Sequence, residues 1–188
     1  MPRAGLTPAS VVAEAASLAD DVGYDRLTLA ALAGRLGVAV PSLYKHLGGV
    51  VAVRRGVAIL AVRELGDALS VALAEAEGGD AGVRLRGLAH AYRAYARAHP
   101  GRYAATVRAA SPADAEHVAA SDAVLRTVFG VLAERGLPGD DAIDATRALR
   151  AALHGFVSLE AAGGFGLPQD VPRSFDRMVD WLDHGFGG

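Results

Sequence analysis

The sequence predicts an all-α protein of about nine helices, an N-terminal three-helix domain followed by a C-terminal helical bundle. Three observations predict it. Apolar residues recur at intervals of three and four along most of the chain, the period of a helix buried on one side. The 188 residues are 52% hydrophobic and only 6% aromatic, with Ala and Leu abundant, which is a helix-forming composition with ample material for a core. No alternating strand pattern, internal repeat or low-complexity tract breaks into it.

Each element follows from local chemistry. Met1–Leu6 reads as a flexible tail. Thr7 is a good helix cap, and Pro8 takes the first helical position, where no N–H is needed. The helix that follows carries Val11, Ala15, Leu18 and Val22 on one face and ends at Gly23. Leu29, Leu32, Ala33 and Leu36 mark a second helix, started by the Thr28 hydroxyl. Gly37, which tolerates positive φ, ends it. A third helix starts near Val40 with Pro41 in its first turn. Its outer positions are Ser42, Tyr44, Lys45 and His46, while Leu43 and Leu47 face inward.

Gly48 and Gly49 break the chain before a long apolar helix from Val50 to Glu75. Gly78, Gly79 and Asp80 interrupt it, and residues 81–99 form the next helix, with Leu85, Leu88, Ala89, Tyr92 and Tyr95 towards one side. His99, Pro100 and Gly101 end that helix, and a short one runs from Arg102 to about Ala109. Ser111 and Pro112 open another, reaching Gly136 with Val118, Val124, Leu125, Val128, Phe129 and Leu132 as its apolar set. After the turn at residues 137–140, a strongly apolar helix spans Asp140–Ala162 and closes at Gly163 and Gly164. Residues 168–172 read as a turn and Ser174–His184 as the last helix. There Phe175, Met178, Val179 and Leu182 make a stripe at i, i+3, i+4 and i+7. The expected division is residues 1–49 and 50–188.

Composition excludes several classes. No stretch reaches about 18 apolar residues without a charge, so no membrane span is expected. The N-terminus lacks the apolar run and cleavage site of a signal peptide. No cysteine is present, which removes disulfides and thiolate metal sites. These features read as a cytoplasmic protein with no membrane partner, no metal and no cofactor. Net charge is −2, unlike a nucleic-acid coat protein. The distribution is uneven: residues 1–60 set Arg3, Arg26, Arg35, Lys45, Arg54 and Arg55 against Glu14, Asp20, Asp21 and Asp25, a balance of +2 that leaves −4 for the rest. That sign suits an N-terminal part that meets phosphates.

Short helix, glycine turn and short helix with a polar outer face, over Thr28–Leu47, is the helix-turn-helix layout of DNA-binding proteins. The same spacing also fits an ordinary αα-hairpin inside a bundle. The stretch TLAALAGRLGVAVPSLYKHL resembles the DNA-binding motif of the TetR family of bacterial transcriptional regulators. The residues that carry the resemblance are Gly23 and Tyr24, Thr28 and Leu29, Leu32 and Ala33, Leu36 to Val38, Leu43 and Tyr44, and His46 and Leu47. With Leu18 and Ala19 the match covers roughly residues 7–60. Ala148–Phe165, together with the FDRMVDWLDHG ending, is similar to the TetR C-terminal domain named for a Trp, His and Gly signature. His154 and Gly155 match it, whereas Arg150 stands near the place of the tryptophan.

The resemblance implies a ligand-responsive transcriptional regulator, a repressor released from its operator by a small apolar or amphipathic effector. By family pattern and hydrogen-bonding chemistry, Thr28, Tyr44, Lys45 and His46 are expected at phosphates. Val40, Pro41 and Ser42 are expected at base edges, the first two through thymine methyls. Arg3 in the tail could reach the DNA backbone or the minor groove, or do nothing there. The family usually has a lysine near the start of the next helix that touches a phosphate; here Val50 and Val51 stand there, and Arg54 or Arg55 is a candidate substitute.

A homodimer on a palindromic double-stranded operator is implied, with recognition helices roughly 34–36 Å apart. Its interface is expected at Leu149, Leu153, Phe156, Val157, Phe175, Met178 and Leu182, which could equally close the monomer's own core. The effector pocket is expected within residues 50–165, where Tyr92, Tyr95, Tyr103, Phe129, His154 and Phe156 are candidates to line it or to be plain core. His154 would hydrogen-bond either a ligand or a neighbouring carbonyl. Two other readings stand beside this one. An enzyme would need a nucleophile with its base, paired carboxylates or a metal cluster. The adjacent Glu116 and His117 point in different directions on a helix, and no HExxH or phosphate-cradling loop is present, so no enzyme is expected. The third reading is a helical dimeric ligand-binding protein whose DNA head is weakened.

Overall fold

The structure, a computed structural model, describes residues 6–187, and of Lys45, His46 and Leu47 the backbone alone. Among these residues the helices are α1 (Pro8–Val22), α2 (Leu29–Leu36), α3 (Val40–Leu47), α4 (Val50–Glu75), α5 (Ala81–Ala98), α6 (Pro100–Ala105), α7 (Ala115–Glu134), α8 (Gly139–Ala161) and α9 (Val171–Phe186), with a 3-10 turn at Tyr24–Arg26. The chain folds as two compact units. One holds Met1–Glu64 and His99–Ser121, the other Leu65–Ala98 and Asp122–Gly188.

In the first unit, Thr7 and Ser10 cap α1 reciprocally: the Thr7 hydroxyl accepts from the Ser10 amide at 3.1 Å, and the Ser10 hydroxyl accepts from the Thr7 amide at 3.0 Å. Val11, Ala15 and Leu18 of α1, Leu32 of α2, Leu43 of α3, and Val53 and Val57 of α4 close a single apolar core. The 3-10 turn, absent from the sequence reading, gives that core Leu27 just beyond its end. α6 lies tightly on α1. A Cβ on Gly101 would stand 1.9 Å from the Ala19 carbonyl oxygen, so only glycine permits this approach. Asp20 reinforces the contact, its Oδ1 accepting from the Arg102 amide at 2.8 Å while Oδ2 lies 3.0 Å from Arg102 Nε.

Two boundaries in this unit differ from expectation. α6 starts at Pro100, because proline lacks the N–H that a first turn would leave unpaired anyway. α7 starts at Ala115, not at Ser111: residues 111–114 form a turn, and Asp114 caps the helix by accepting from the His117 amide at 3.2 Å. Asp114 also ties α7 to α4. Its carboxylate takes two hydrogen bonds from Arg55, at 2.5 and 2.6 Å. Arg55 reaches Glu116 at 3.0 Å as well, and Arg63 reaches the same Glu116 at 3.2 Å.

In the second unit α9 packs on both α5 and α8. Phe175 and Val179 are fully buried there, and Leu85 and Leu88 of α5 and Leu153 and Val157 of α8 are buried as well. α9 begins three residues earlier than expected, with Asp170 as its cap and Pro172 in its first turn. At the centre lies a buried charge. The Arg93 guanidinium sits 4.8 Å from the Phe175 ring centroid and 5.7 Å from that of Phe156, and it grips the Glu160 carboxylate with bonds of 2.9 and 2.6 Å. Around it, Arg86–Asp180 at 2.6 Å and His90–Asp176 at 3.0 Å bridge α5 to α9.

Two outcomes follow from this packing. Gly101→Ala forces a methyl into the α1 backbone and should cost about 3 kcal/mol or more, read from denaturant unfolding. The Arg55 hydrogen bonds hold the Asp114 pKa down at about 2. A carboxyl depressed in the folded state adds stability at pH above its ordinary value near 4 and loses it as pH falls towards 2. The difference in Tm between the wild type and Arg55→Met should therefore shrink between pH 4 and pH 2. A difference that stays constant over that range would show that Arg55 does not hold this carboxylate.

Candidate nucleic-acid interface

The interface is built on α2, α3 and the start of α4. Thr28 caps α2, its hydroxyl accepting from the Ala31 amide at 3.2 Å, which leaves the hydroxyl proton free to donate outward. Gly37 takes the left-handed conformation, φ 65° and ψ 35°, and closes α2 through amide bonds back to its last turn. That sharp stop turns the chain into α3 within three residues. Leu43 of α3 is fully buried against α1, α2 and α4, which fixes the rotation of the helix. Pro41 is exposed and Ser42 half-buried on its outer side. Tyr44 is 56% exposed, so it is an outer residue and not part of the platform core. Val40 is half-buried and packs against that core, so it has less surface for a base edge than expected. The side chains of Lys45 and His46 lie outside the described residues, as does Arg3.

Neither candidate for the missing lysine is available. Arg54 Nη2 donates to the carbonyls of Asp25 and Leu27, at 2.9 and 3.0 Å, and the Tyr24 hydroxyl donates back to the Arg54 carbonyl at 3.1 Å. These bonds pin the segment before Thr28 to α4. Arg55 is held by Asp114 and Glu116. The expectation that one of them replaces the lysine is corrected on that ground. Arg35 is likewise committed, to Glu14, Asp21 and the Ser17 hydroxyl, and these partners raise its pKa further. Val51, at the place of the family's acidic residue, is 79% exposed.

The six effector candidates divide between the two units. Tyr103 belongs to the first, where it is buried; Tyr92, Tyr95, Phe129, His154 and Phe156 belong to the second. Phe156 is core: its ring meets Phe175 edge-on at 5.1 Å and Phe165 at 4.7 Å, with Arg93 above it. Tyr95 is buried, while Tyr92, Phe129 and His154 are half-buried.

The dimer candidates need a correction too. Leu149, Leu153, Phe156, Val157 and Phe175 are already buried within the single chain and keep little surface for a partner. Met178 and Leu182 are half-buried. The large apolar residues left outward on α8 and α9 are Ile143, Leu159 and Trp181, the last 67% exposed. The sequence reading missed Arg93, Glu160 and Trp181. A stripe at i, i+3, i+4 and i+7 marks the face a helix buries, and Trp181 falls off that stripe.

Comparison with known proteins agrees with this geometry. Residues 11–49 match the family described as bacterial regulatory proteins, tetR family, and residues 85–182 match the tetracyclin repressor-like C-terminal domain. The uncharacterized HTH-type transcriptional regulator YobS of Bacillus subtilis is 37% identical over 179 residues, 95% of this chain and 91% of the relative. A protein of unknown function from Rhodococcus sp. RHA1 superposes with a TM-score of 0.82 at 27% identity, covering 100% of this chain and 98% of its own. A TetR variant from Acinetobacter baumannii AYE, solved in complex with minocycline, superposes with a TM-score of 0.71 at 28% identity, covering 97% of both chains. No helix among the described residues is long and apolar enough to cross a membrane. The chain belongs to the tetR family of bacterial regulatory proteins and is a helix-turn-helix transcriptional regulator.

Proposed function

We propose that this regulator is a cytoplasmic, dimeric repressor that leaves a palindromic operator when a small apolar or amphipathic effector binds. The observation that carries the DNA half is α3, a short helix locked by buried Leu43 with Pro41 and Tyr44 left outward. Residues 1–49 supply the DNA contacts: Thr28, Tyr44, Lys45 and His46 at phosphates, Pro41 and Ser42 at base edges, with Val40 at the margin. Lys45 is the only lysine in the chain, and it lies on α3. Residues 50–188 bind effector and form the dimer. The minocycline complex of a protein with this fold supports an effector among the helices, where Tyr92, Tyr95, Phe129 and His154 are candidate lining residues. Effector would tilt α4 and change the spacing of the two recognition helices, which requires unequal affinity for the two spacings. No catalytic step enters this reading.

We place the dimer on the outer faces of α8 and α9, where Leu159 and Trp181 are exposed and Met178 and Leu182 lie at the edge. Trp181→Glu should convert the dimer to monomer in sedimentation equilibrium with the helical circular dichroism unchanged. A dimer that persists would move the interface elsewhere.

A second reading, a dimeric ligand-binding protein with a weakened DNA head, is favoured by the internal commitment of Arg35, Arg54 and Arg55. Titration of operator binding against salt separates the two. With Lys45, Arg26 and Arg3 as the remaining head cations of each subunit, the plot of log K against log salt should have a slope of about −5, and Lys45→Ala should flatten it by about 2 per dimer. Tyr44→Ala should weaken binding with little change in slope. Binding no better than to random DNA, with a slope unmoved by Lys45→Ala, would favour the weakened head.

A further inference from the structure

Arg54 of α4 makes three bonds to the stretch Tyr24–Leu27. Its Nη2 donates to the Asp25 carbonyl at 2.9 Å and to the Leu27 carbonyl at 3.0 Å, and its own carbonyl accepts from the Tyr24 hydroxyl at 3.1 Å. The side chain is half-buried and its Nε is sealed from solvent. Arg35 and Arg55 are held by carboxylates, whereas these acceptors on Arg54 are backbone carbonyls. A guanidinium bonded in this way fixes the course of the chain instead of cancelling a charge. The Leu27 carbonyl belongs to the planar peptide that includes the Thr28 nitrogen, so holding this oxygen fixes the plane from which the Thr28 Cα departs. Leu27 itself is 1% exposed, which anchors the same peptide from its apolar side. Only the dihedrals of Thr28 are left, and the bond from the Ala31 amide to its hydroxyl, at 3.2 Å, restrains the side chain.

We propose that Arg54 is a positioning residue of the DNA interface: it touches no phosphate itself and holds the Leu27–Thr28 peptide where the Thr28 hydroxyl meets one. The inference rests on the reading of Thr28 as a phosphate contact given above. A binding group has to be held within roughly 0.5 Å of its productive place, so the contact is lost when this peptide drifts. Tyr44 stands on α3, which buried Leu43 holds, and its contact does not pass through Arg54.

The test measures affinity by fluorescence anisotropy on a duplex that the full-length wild type enriches from a random pool. Thr28→Val should weaken binding about a hundredfold, at about tenfold for the charge-assisted bond of each subunit. Arg54→Met should lose nearly as much with the salt slope unchanged, and the double variant should bind no more weakly than Thr28→Val. Combined with Tyr44→Ala, Arg54→Met should instead multiply the two losses. Arg54→Lys, which can give one of the two carbonyl bonds, should recover part of the affinity. Tyr24→Phe removes the third bond and keeps the ring, and it should show the same coupling to Thr28 on a smaller scale whether or not Arg54→Met folds. A slope flattened by about 2 per dimer on Arg54→Met would make Arg54 a phosphate contact and overturn the proposal. Equal coupling to Thr28 and Tyr44 would mark a general loss of structure and overturn it too. If Thr28→Val weakens binding and Arg54→Met adds its full loss on top, the Thr28 contact stands and the proposal alone fails. If Thr28→Val binds like the wild type, or no duplex is enriched, the reading of Thr28 fails and the proposal with it.

Discussion

α6 can lie on α1 only because residue 101 has no side chain. The Gly101 Cα approaches the Ala19–Asp20 peptide so closely that any Cβ would occupy the carbonyl's place. Asp20 then receives the α6 amide and guanidinium of Arg102, so the contact is both steric and polar. Its consequence is that residues 99–121 belong to the same compact unit as the helix-turn-helix. A second tie, the Arg55 clasp on the first turn of α7, serves the same end from α4. Interiors packed this closely do not deform gradually, and a displacement at α6 or α7 has to be taken up by the elements they touch.

The cations of this unit show how the same residue types serve fold and recognition in competition. Arg35, Arg54 and Arg55 each meet at least two internal oxygens. A guanidinium in a fixed fork of acceptors has no donor geometry left over for a phosphate unless it gives those bonds up. The +2 balance of the N-terminal sixty residues therefore overstates the charge that DNA meets. What remains for the proposed head is a few cations, Lys45 and Arg26 among them, and short-range chemistry on α3 and its flanks: the Thr28 hydroxyl, Tyr44, and the outer edge of Pro41 and Ser42. A recognition surface with so few cations gains less from long-range attraction than a strongly basic one and relies more on fit, including the shape of the DNA.

The local rules were legible in the sequence because each acts over a few residues. Thr7 and Thr28 capped the helices they precede, Gly37 took the left-handed turn, Pro41 entered a first turn, and α4 ran over the residues expected. The misplaced starts have two causes: Pro100 and Pro172, read as a breaker and a turn, sit inside the first turns of α6 and α9, whereas Ser111 and Pro112, read as the opening of α7, lie ahead of its actual cap Asp114. The site residues were less legible. Arg93 and Glu160 are 67 positions apart, and only the tertiary fold places one between the Phe156 and Phe175 rings within reach of the other. Periodicity found the buried stripe of α9 but could not say what covers it, and α5 and α8 of the same chain do.

That last point separates two kinds of apolar surface which periodicity merges. Phe175 and Val179 are satisfied within one chain, whereas Trp181 and Leu159 are not. Burial of a Phe inside the protomer stabilises the unit whether or not a second copy is present, so the α9 stripe carries no information about assembly. An exposed indole on the adjoining face is different. It gains by burial only against something outside the chain, and its N–H can still meet a polar partner at the rim. The two requirements coexist on one helix because α9 turns its stripe and its tryptophan to different sides. A sixteen-residue helix can thereby close its own unit and still present a surface to another molecule.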